Sequence, residues 1–392
     1  MNPIYLDAHA TTPVDPRVLD AMLPYFTEQF GNAASRNHSF GWTAKDAVEK
    51  ARAQVADLIG ARAHEVIFTS GATEANNLAI KGITDAYRDK GNHIITCGTE
   101  HRSVLDPCGA LERQGVRVTY LPVDIDGLID PADLRAAVTP GTILISIMAA
   151  NNEIGVLQPL EQIGVIAGEH GIVFHTDAVQ AAGKVPFDVN AVQADLISIS
   201  AHKIYGPKGI GALCLRRRNP RVQLTEQING GGHERGLRSG TLNVPGIVGF
   251  GAAATICKAE MAAESERLFA LRNRLNDQLH RNIDDIQVNG SMRHRLPHNL
   301  NVSFERLDGD SLLMAVDDIA LSSGAACTSA GREPSHVLTA LGLDDELVRA
   351  SLRFGLGRWT TELEIDAVVS KLSATVRHLR EISPLRAASV QG

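Results

Sequence analysis

The sequence predicts an α/β protein in which a mostly parallel, seven-stranded sheet is covered on both faces and joined to a smaller α+β unit. Three observations predict it. From about residue 40 to 216, short apolar runs rich in β-branched residues alternate with amphipathic segments. Those runs are continuous rather than alternating, as expected of strands buried on both faces. After about residue 255 the pattern changes to long helical stripes separated by a few extended runs. At 392 residues the chain is also too long for one ordinary core.

The elements follow in order. Val48, Ala51, Val55 and Leu58 form a helical stripe, and Gly60 stands where a C-terminal cap belongs. Strands are expected at 66–69, 94–97, 116–121, 142–148, 172–176, 196–200 and 210–215, with helices at 73–87, 103–114 and 160–170 between them. Ligands of such sheets bind beyond the carboxyl ends of the strands, which directs attention to the residues that follow each run. Farther on, Leu268, Leu271, Leu275 and Leu279 mark a long helix. Extended segments are expected at 300–304 and 319–322, helices at 311–316 and 363–379, and a frayed end from 387 to 392.

Composition narrows the function class. Hydrophobic content of 44% and charged content of 21% are those of an ordinary globular protein. A formal charge of −7 argues against direct nucleic-acid binding, and Arg216-Arg217-Arg218 reads as a surface cap on a strand end. No stretch approaches the ~18 apolar residues needed to span a bilayer. The start has neither a basic region nor a long apolar run, so no signal peptide is expected. Five cysteines without paired spacing give neither a disulfide framework nor a metal knuckle, and the expectation is a reduced, cytoplasmic protein without a metal.

Four clusters carry candidate chemistry. Ser70-Gly71-Ala72-Thr73-Glu74 follows a strand and opens a helix, where free amide groups favour an anion. Taken alone, the segment is better read as an ordinary cap made by Thr73 or Ser70. Asp177, at the end of a strand and followed by Gln180, could hold a protonated ring nitrogen, or simply cap a helix. Lys203, between an apolar strand and the turn Gly206-Pro207-Lys208-Gly209, suits a Schiff-base lysine better than a solvated turn. Cys327 sits in the run of small residues 322–331, unlike Cys97, Cys108, Cys214 and Cys257, which read as structural. Among single residues, His101 follows a strand and could stack on a ring and shuttle protons, though a lone histidine there more often makes local helix hydrogen bonds. Asn152 is a ligand contact or a turn residue, and Arg353 grips a carboxylate or an internal acid. Gly230 to Thr241 is a glycine-rich basic loop suited to phosphate or a subunit contact.

Taken together, five segments resemble the NifS/IscS-like cysteine desulfurases, within the class-V aminotransferases: 70–74, 151–155, 200–211, 230–241 and 322–329. The resemblance runs from Tyr5 to Leu385 and implies a fold-type I, pyridoxal 5'-phosphate enzyme acting as a homodimer. It implies a large cofactor domain at 16–258. A small domain would be built from 1–15 and 259–392 and carry the cysteine loop at about 322–335. Residue by residue, it makes Lys203 the cofactor lysine, Asp177 the partner of the ring nitrogen, His101 the stacking residue and Gln180 the contact of the ring hydroxyl. Thr73, Ser200 and His202 would hold the phosphate, with Thr241 arriving from the second subunit, and Ala72 and Asn152 would also contact the cofactor. Asn152 and Arg353 would grip the substrate carboxylate, and Cys327 would accept sulfur from L-cysteine as a persulfide. The implied partners are an iron–sulfur scaffold or another sulfur acceptor, including relays for tRNA thiolation. Two departures stand out: Ala33 replaces an expected proline, and the chain ends soon after Ser383-Pro384-Leu385, which leaves the choice of acceptor open. A selenocysteine lyase, an aminotransferase and a silent binding platform are the competing readings. The full set of lysine, aspartate, histidine and cysteine argues against the last.

Overall fold

The computed structural model describes residues 3–216, 221–323 and 333–382. Strands in chain order are β1 (Ile4–Tyr5), β2 (Val66–Thr69), β3 (His93–Cys97), β4 (Arg117–Leu121), β5 (Thr142–Ser146), β6 (Val173–Asp177), β7 (Leu196–Ser200), β8 (Gly211–Leu215), β9 (Ile286–Val288), β10 (Asn299–Phe304), β11 (Ile319–Ala320), β12 (Ser322–Ser323) and β13 (Ser351–Gly355).

All seven expected strands of the first region join one sheet, in the order β2-β8-β7-β6-β5-β3-β4. Neighbours from β7 through β4 are parallel, and β8 runs antiparallel between β2 and β7. Strands β2, β3, β5, β6, β7 and β8 are buried along their whole length, which explains their unbroken apolar character. Because two reversals restore direction, β2 ends on the same edge as β3, β5, β6 and β7. With β4, parallel to β3, six connecting segments open onto one edge, and those after β2, β3, β5, β6 and β7 gather at its centre.

The first long helix, Ser39–Leu58, buries Ala44, Val48, Ala51 and Val55 on one face. His38 caps it by accepting the Gly41 amide, and Gly60 follows its end at φ +71°. It packs along Val244–Asn282, a 39-residue helix that serves two cores. Residues Val244 to Cys257 belong to the core around the large sheet. Leu268, Leu271, Leu275 and Leu279 belong to a second core with Leu6, Val302, Phe354 and Leu372. Among the described residues it is the one helix long and apolar enough, by length and composition, to cross a bilayer, closer to that limit than a count of apolar residues suggests. Its apolar positions are instead taken up by these two cores.

The second core underlies an antiparallel sheet, β12-β13-β10-β9. The expected extended segment at 319–322 is two short strands, β11 and β12, on either side of Leu321. They serve different partners: β11 pairs with β1 in parallel, and β12 with β13. The expected helices fall at Gly309–Met314 and Glu362–Ile382. The run Arg217-Arg218, most of the cysteine loop and the expected frayed end lie outside the described residues.

One buried ion pair ties the glycine-rich loop to the sheet. Arg52 donates to both oxygens of Glu234, at 2.6 and 2.8 Å, and Glu234 also accepts the Phe68 amide of β2. Their side chains are 4% and 2% exposed, so neither charge tolerates losing its partner. Arg52→Met should lower the unfolding free energy by about 3–5 kcal/mol in guanidinium titrations. The double change Arg52→Met with Glu234→Gln should recover part of that loss, because glutamine carries no charge yet still accepts the Phe68 amide.

Candidate active site

The five segments at the sheet edge, together with residues 10 and 11, enclose a cavity of about 550 Å³. Its lining includes Ala72, Thr73, His101, Asn152, Asp177, Gln180, Ser200, His202 and Lys203, so nine of the predicted site residues meet at one place. Three do not. Arg353 is buried but bonded elsewhere, Thr241 is exposed and outside the cavity lining, and Cys327 lies outside the described residues.

At one end stands the helix Ala72–Ala86. Its cap position is Gly71, and no side chain bonds to its first amides. The expectation that Ser70 or Thr73 would cap it is therefore not met. The Ser70 amide instead donates to Glu74 Oε2 at 2.8 Å, and Arg238 holds the other oxygen at 2.7 Å. Close packing against β8 requires glycine: a Cβ on Gly211 would lie 2.8 Å from the Gly71 Cα. Open helical amides beside Thr73, Ser200 and His202 form an anion cradle.

At the base, Asp177 ends β6 and is nearly buried. It accepts the Val179 amide at 3.0 Å and the Asn76 side chain at 2.7 Å. The other proton of Asn76 Nδ2 goes to Ser103 Oγ at 2.8 Å. Ser103 in turn lies 2.8 Å from His101 Nδ1 and donates its own amide there at 3.1 Å. A ring nitrogen that accepts a backbone N–H carries no proton, so neutral His101 keeps its proton on Nε2. Burial lowers the His101 pKa, which keeps the ring neutral at pH 7. His101 caps the helix Arg102–Glu112, as the local reading expected, and also lines the cavity.

Sequence reasoning missed Asn76, which joins Asp177 to His101 in one network. The available signal was a fully buried amide on the apolar stripe of Ala75, Leu78, Ala79 and Ile83. The first turn of the chain was missed as well. Lys203 Nζ donates to the carbonyls of His9 and, at 2.7 Å, Ala10. Arg353 donates to Asp7 Oδ1 at 2.6 Å, Ser322 Oγ at 2.8 Å and the Asn152 carbonyl at 2.9 Å, so the internal ion pair is what this structure contains.

Electrostatics single out Lys203. Burial lowers its pKa to about 8, Arg353 pushes the same way, and Asp7 and Asp177 oppose them. His202 is lowered to about 4 by burial, Lys203 and Lys208, so it is neutral. The four described cysteines are all buried. Burial raises every one of these thiols, Cys97 to about 11 and Cys108 to about 12, so none is a ready thiolate.

An anion cradle, a desolvated amine and a buried carboxylate meet around one cavity, and their chemistry fits pyridoxal phosphate. Comparison with known proteins agrees. The aminotransferase class-V family matches residues 4–368, and the chain belongs to it. A protein of Anaeromyxobacter sp. (strain Fw109-5) named cysteine desulfurase IscS is 61% identical over 383 residues, 98% of this chain and 95% of that one. A solved "NifS-like protein" superposes with a TM-score of 0.90 at 36% identity, covering 96% of this chain and 100% of its own. A structure titled "SspA in complex with cysteine" superposes at 0.80 with 38% identity, covering 91% and 100%. The family depends on pyridoxal phosphate, and the chain is an α/β enzyme of that fold type.

The lowered pKa of Lys203 makes a kinetic prediction. Only the unprotonated amine attacks an aldehyde, so capture of pyridoxal phosphate by the cofactor-free protein should rise about tenfold per pH unit and level near pH 8. An ordinary lysine would continue to rise toward ~10.4. Borohydride trapping at timed intervals, with peptide mapping of Lys203, measures it.

Proposed function

We propose that the chain is a cysteine desulfurase that converts L-cysteine to L-alanine and passes the sulfur to Cys327 as a persulfide. The observation that carries the reading is the convergence of Lys203, Asp177, His101 and the open helix end on one cavity. The named relatives and the cysteine-bound neighbour give the substrate class.

Lys203 would hold the cofactor and Asp177 its ring nitrogen, with Ala72, Thr73, Ser200 and His202 at the phosphate. Once bound, pyridoxal phosphate supplies an electron sink that labilises the α-proton and the carbon–sulfur bond of an amino acid. The amine of Lys203, when free, would move the α-proton as acid and base, a role suited to its lowered pKa. His101 Nε2 faces proton traffic from the substrate thiol. Arg353 and Asn152 would grip the substrate carboxylate, for which Arg353 exchanges an internal acid for an external one. The Cys327 thiolate attacks the substrate sulfur. A sulfur–sulfur bond forms as the carbon–sulfur bond breaks, and the released electron pair stays on the carbon that becomes alanine after protonation.

The finer reading follows the same relatives. The division into 16–258 against 1–15 with 259–392 is supported by the separation of the core around the large sheet from that of Leu6, Val302, Phe354 and Leu372, while Ile154 and Val156 pack with Val337 and Leu338 across it. A homodimer is supported by the exposed Leu19, Leu23, Phe26, Phe30, Phe40 and Trp42, and it would let Thr241 reach the partner's phosphate site. A cytoplasmic role supplying sulfur to an iron–sulfur scaffold and to tRNA thiolation relays is the physiological assignment. Selenocysteine lyase and aminotransferase readings leave a cysteine-bearing loop next to Ser322 without a task.

Wild-type protein given L-cysteine and a thiol reductant should release alanine and sulfide in equal amounts. Cys327→Ala should bind cofactor normally yet lose catalytic alanine release by at least about a hundredfold. Full turnover by that variant would overturn the persulfide route.

A further inference from the structure

The polar groups behind Gln180 form a chain whose polarity can be read from its buried end. Arg295 can only donate, and its Nη1 lies 3.1 Å from Asn299 Oδ1. That fixes the Asn299 amide, whose Nδ2 donates to the Glu153 carbonyl and to His9 Nε2, both at 3.1 Å. His9 therefore carries its proton on Nδ1 and donates it to Gln180 Oε1 at 2.9 Å. With its oxygen occupied, Gln180 returns one Nε2 proton to the His9 carbonyl at 3.1 Å. The second Nε2 proton is left for the cavity, which Gln180 lines.

The chain is rigid and neutral in the middle. His9 is fully buried and stacks on His298 with ring centroids 4.4 Å apart. Burial lowers its pKa to about 3, and the charged groups facing it, Arg353, Lys203 and Lys184, push the same way. Asn299 keeps its place because residue 155 is glycine: at φ +70°, a Cβ there would lie 2.4 Å from Asn299 Cγ.

We propose that His9 is a positioning residue that, through Arg295 and Asn299, fixes Gln180 as a hydrogen-bond donor to the ring hydroxyl of bound pyridoxal phosphate, favouring its ionised form. The inference rests on the cofactor reading above. Without the His9 side chain the Gln180 oxygen loses its donor, and only the main-chain carbonyl of residue 9 still holds the amide's orientation. The ring oxygen then becomes more basic and holds the proton it shares with the lysine nitrogen more tightly. The other titratable groups lining the cavity, Asp177, His101, His202, Lys208 and Glu74, stay in place in every variant below.

The test is the pH midpoint of the visible absorbance band of the holoenzyme. His9→Phe keeps a ring against His298 but has no donor. His9→Ala removes the donor without crowding. His9→Asn places an amide nitrogen where Nδ1 stood. The Phe and Ala variants should raise the midpoint by about one pH unit, the size of one hydrogen bond to a charged acceptor. Asn should stay close to wild type. A purely packing role predicts the opposite order, with Phe best tolerated. An unmoved midpoint in both Phe and Ala would overturn the inference while leaving the cofactor reading intact. A wild-type protein that develops no band with pyridoxal phosphate would overturn that reading, and this inference with it.

Discussion

The burial of one amine governs the rest of this structure. Lys203 loses most of its hydration at the edge of the sheet, and that loss outweighs the pull of Asp7 and Asp177 on its proton. Holding a lysine in such a place takes constraint from several directions. The Thr12 hydroxyl accepts from the Tyr205 amide, and the carbonyls of His9 and Ala10 receive the amine itself. Tyr205 takes a left-handed backbone at φ +64°, a strained choice of roughly 1–2 kcal/mol. Arg358 and Lys184 stack over its ring, each 4.1 Å from the centroid, and keep it there.

Around that amine the fold supplies fixed partners rather than mobile ones. Asp177 is held by a backbone amide and by Asn76, and the same Asn76 reaches His101 through Ser103. Gln180 is held by His9. Asp177, His101 and Gln180 thus each have a polar atom already engaged, which fixes tautomer and amide orientation before any ligand arrives. The second core contributes from behind: its elements hold His9 against Gln180 and do not line the cavity themselves. Asn299 and Arg295 border the second sheet, while Gln180 and Lys203 follow strands of the first.

Much of the architecture was legible because it rests on periodicity. All seven strands of the large sheet were found, since burial on both faces demands unbroken apolar runs. Helix ends were found to within a few residues. The segment before Pro13 was not, because it acts through backbone carbonyls and β1 is only two residues long. Asn76 was hidden on an apolar stripe, where a polar residue reads as noise until its partners are known. Arg353 shows a different limit. The sequence identified a buried arginine in need of an anion, but only three-dimensional contact names Asp7 as that anion here. Likewise, the spacing at 70–74 suggested a self-capped helix, whereas Glu74 is recruited by Arg238 and the first helical amides stay open.

The central claim is that sulfur leaves the substrate at this cavity and lands on one particular thiol. Peptide mapping by mass spectrometry after a brief reaction with L-cysteine tests it most directly. The account predicts one additional sulfur atom on the peptide containing Cys327, and none on those containing Cys97, Cys108, Cys214 or Cys257, whose thiols burial holds in the protonated form. Sulfur found on any of those four, or alanine formed with no sulfur on Cys327, would contradict it.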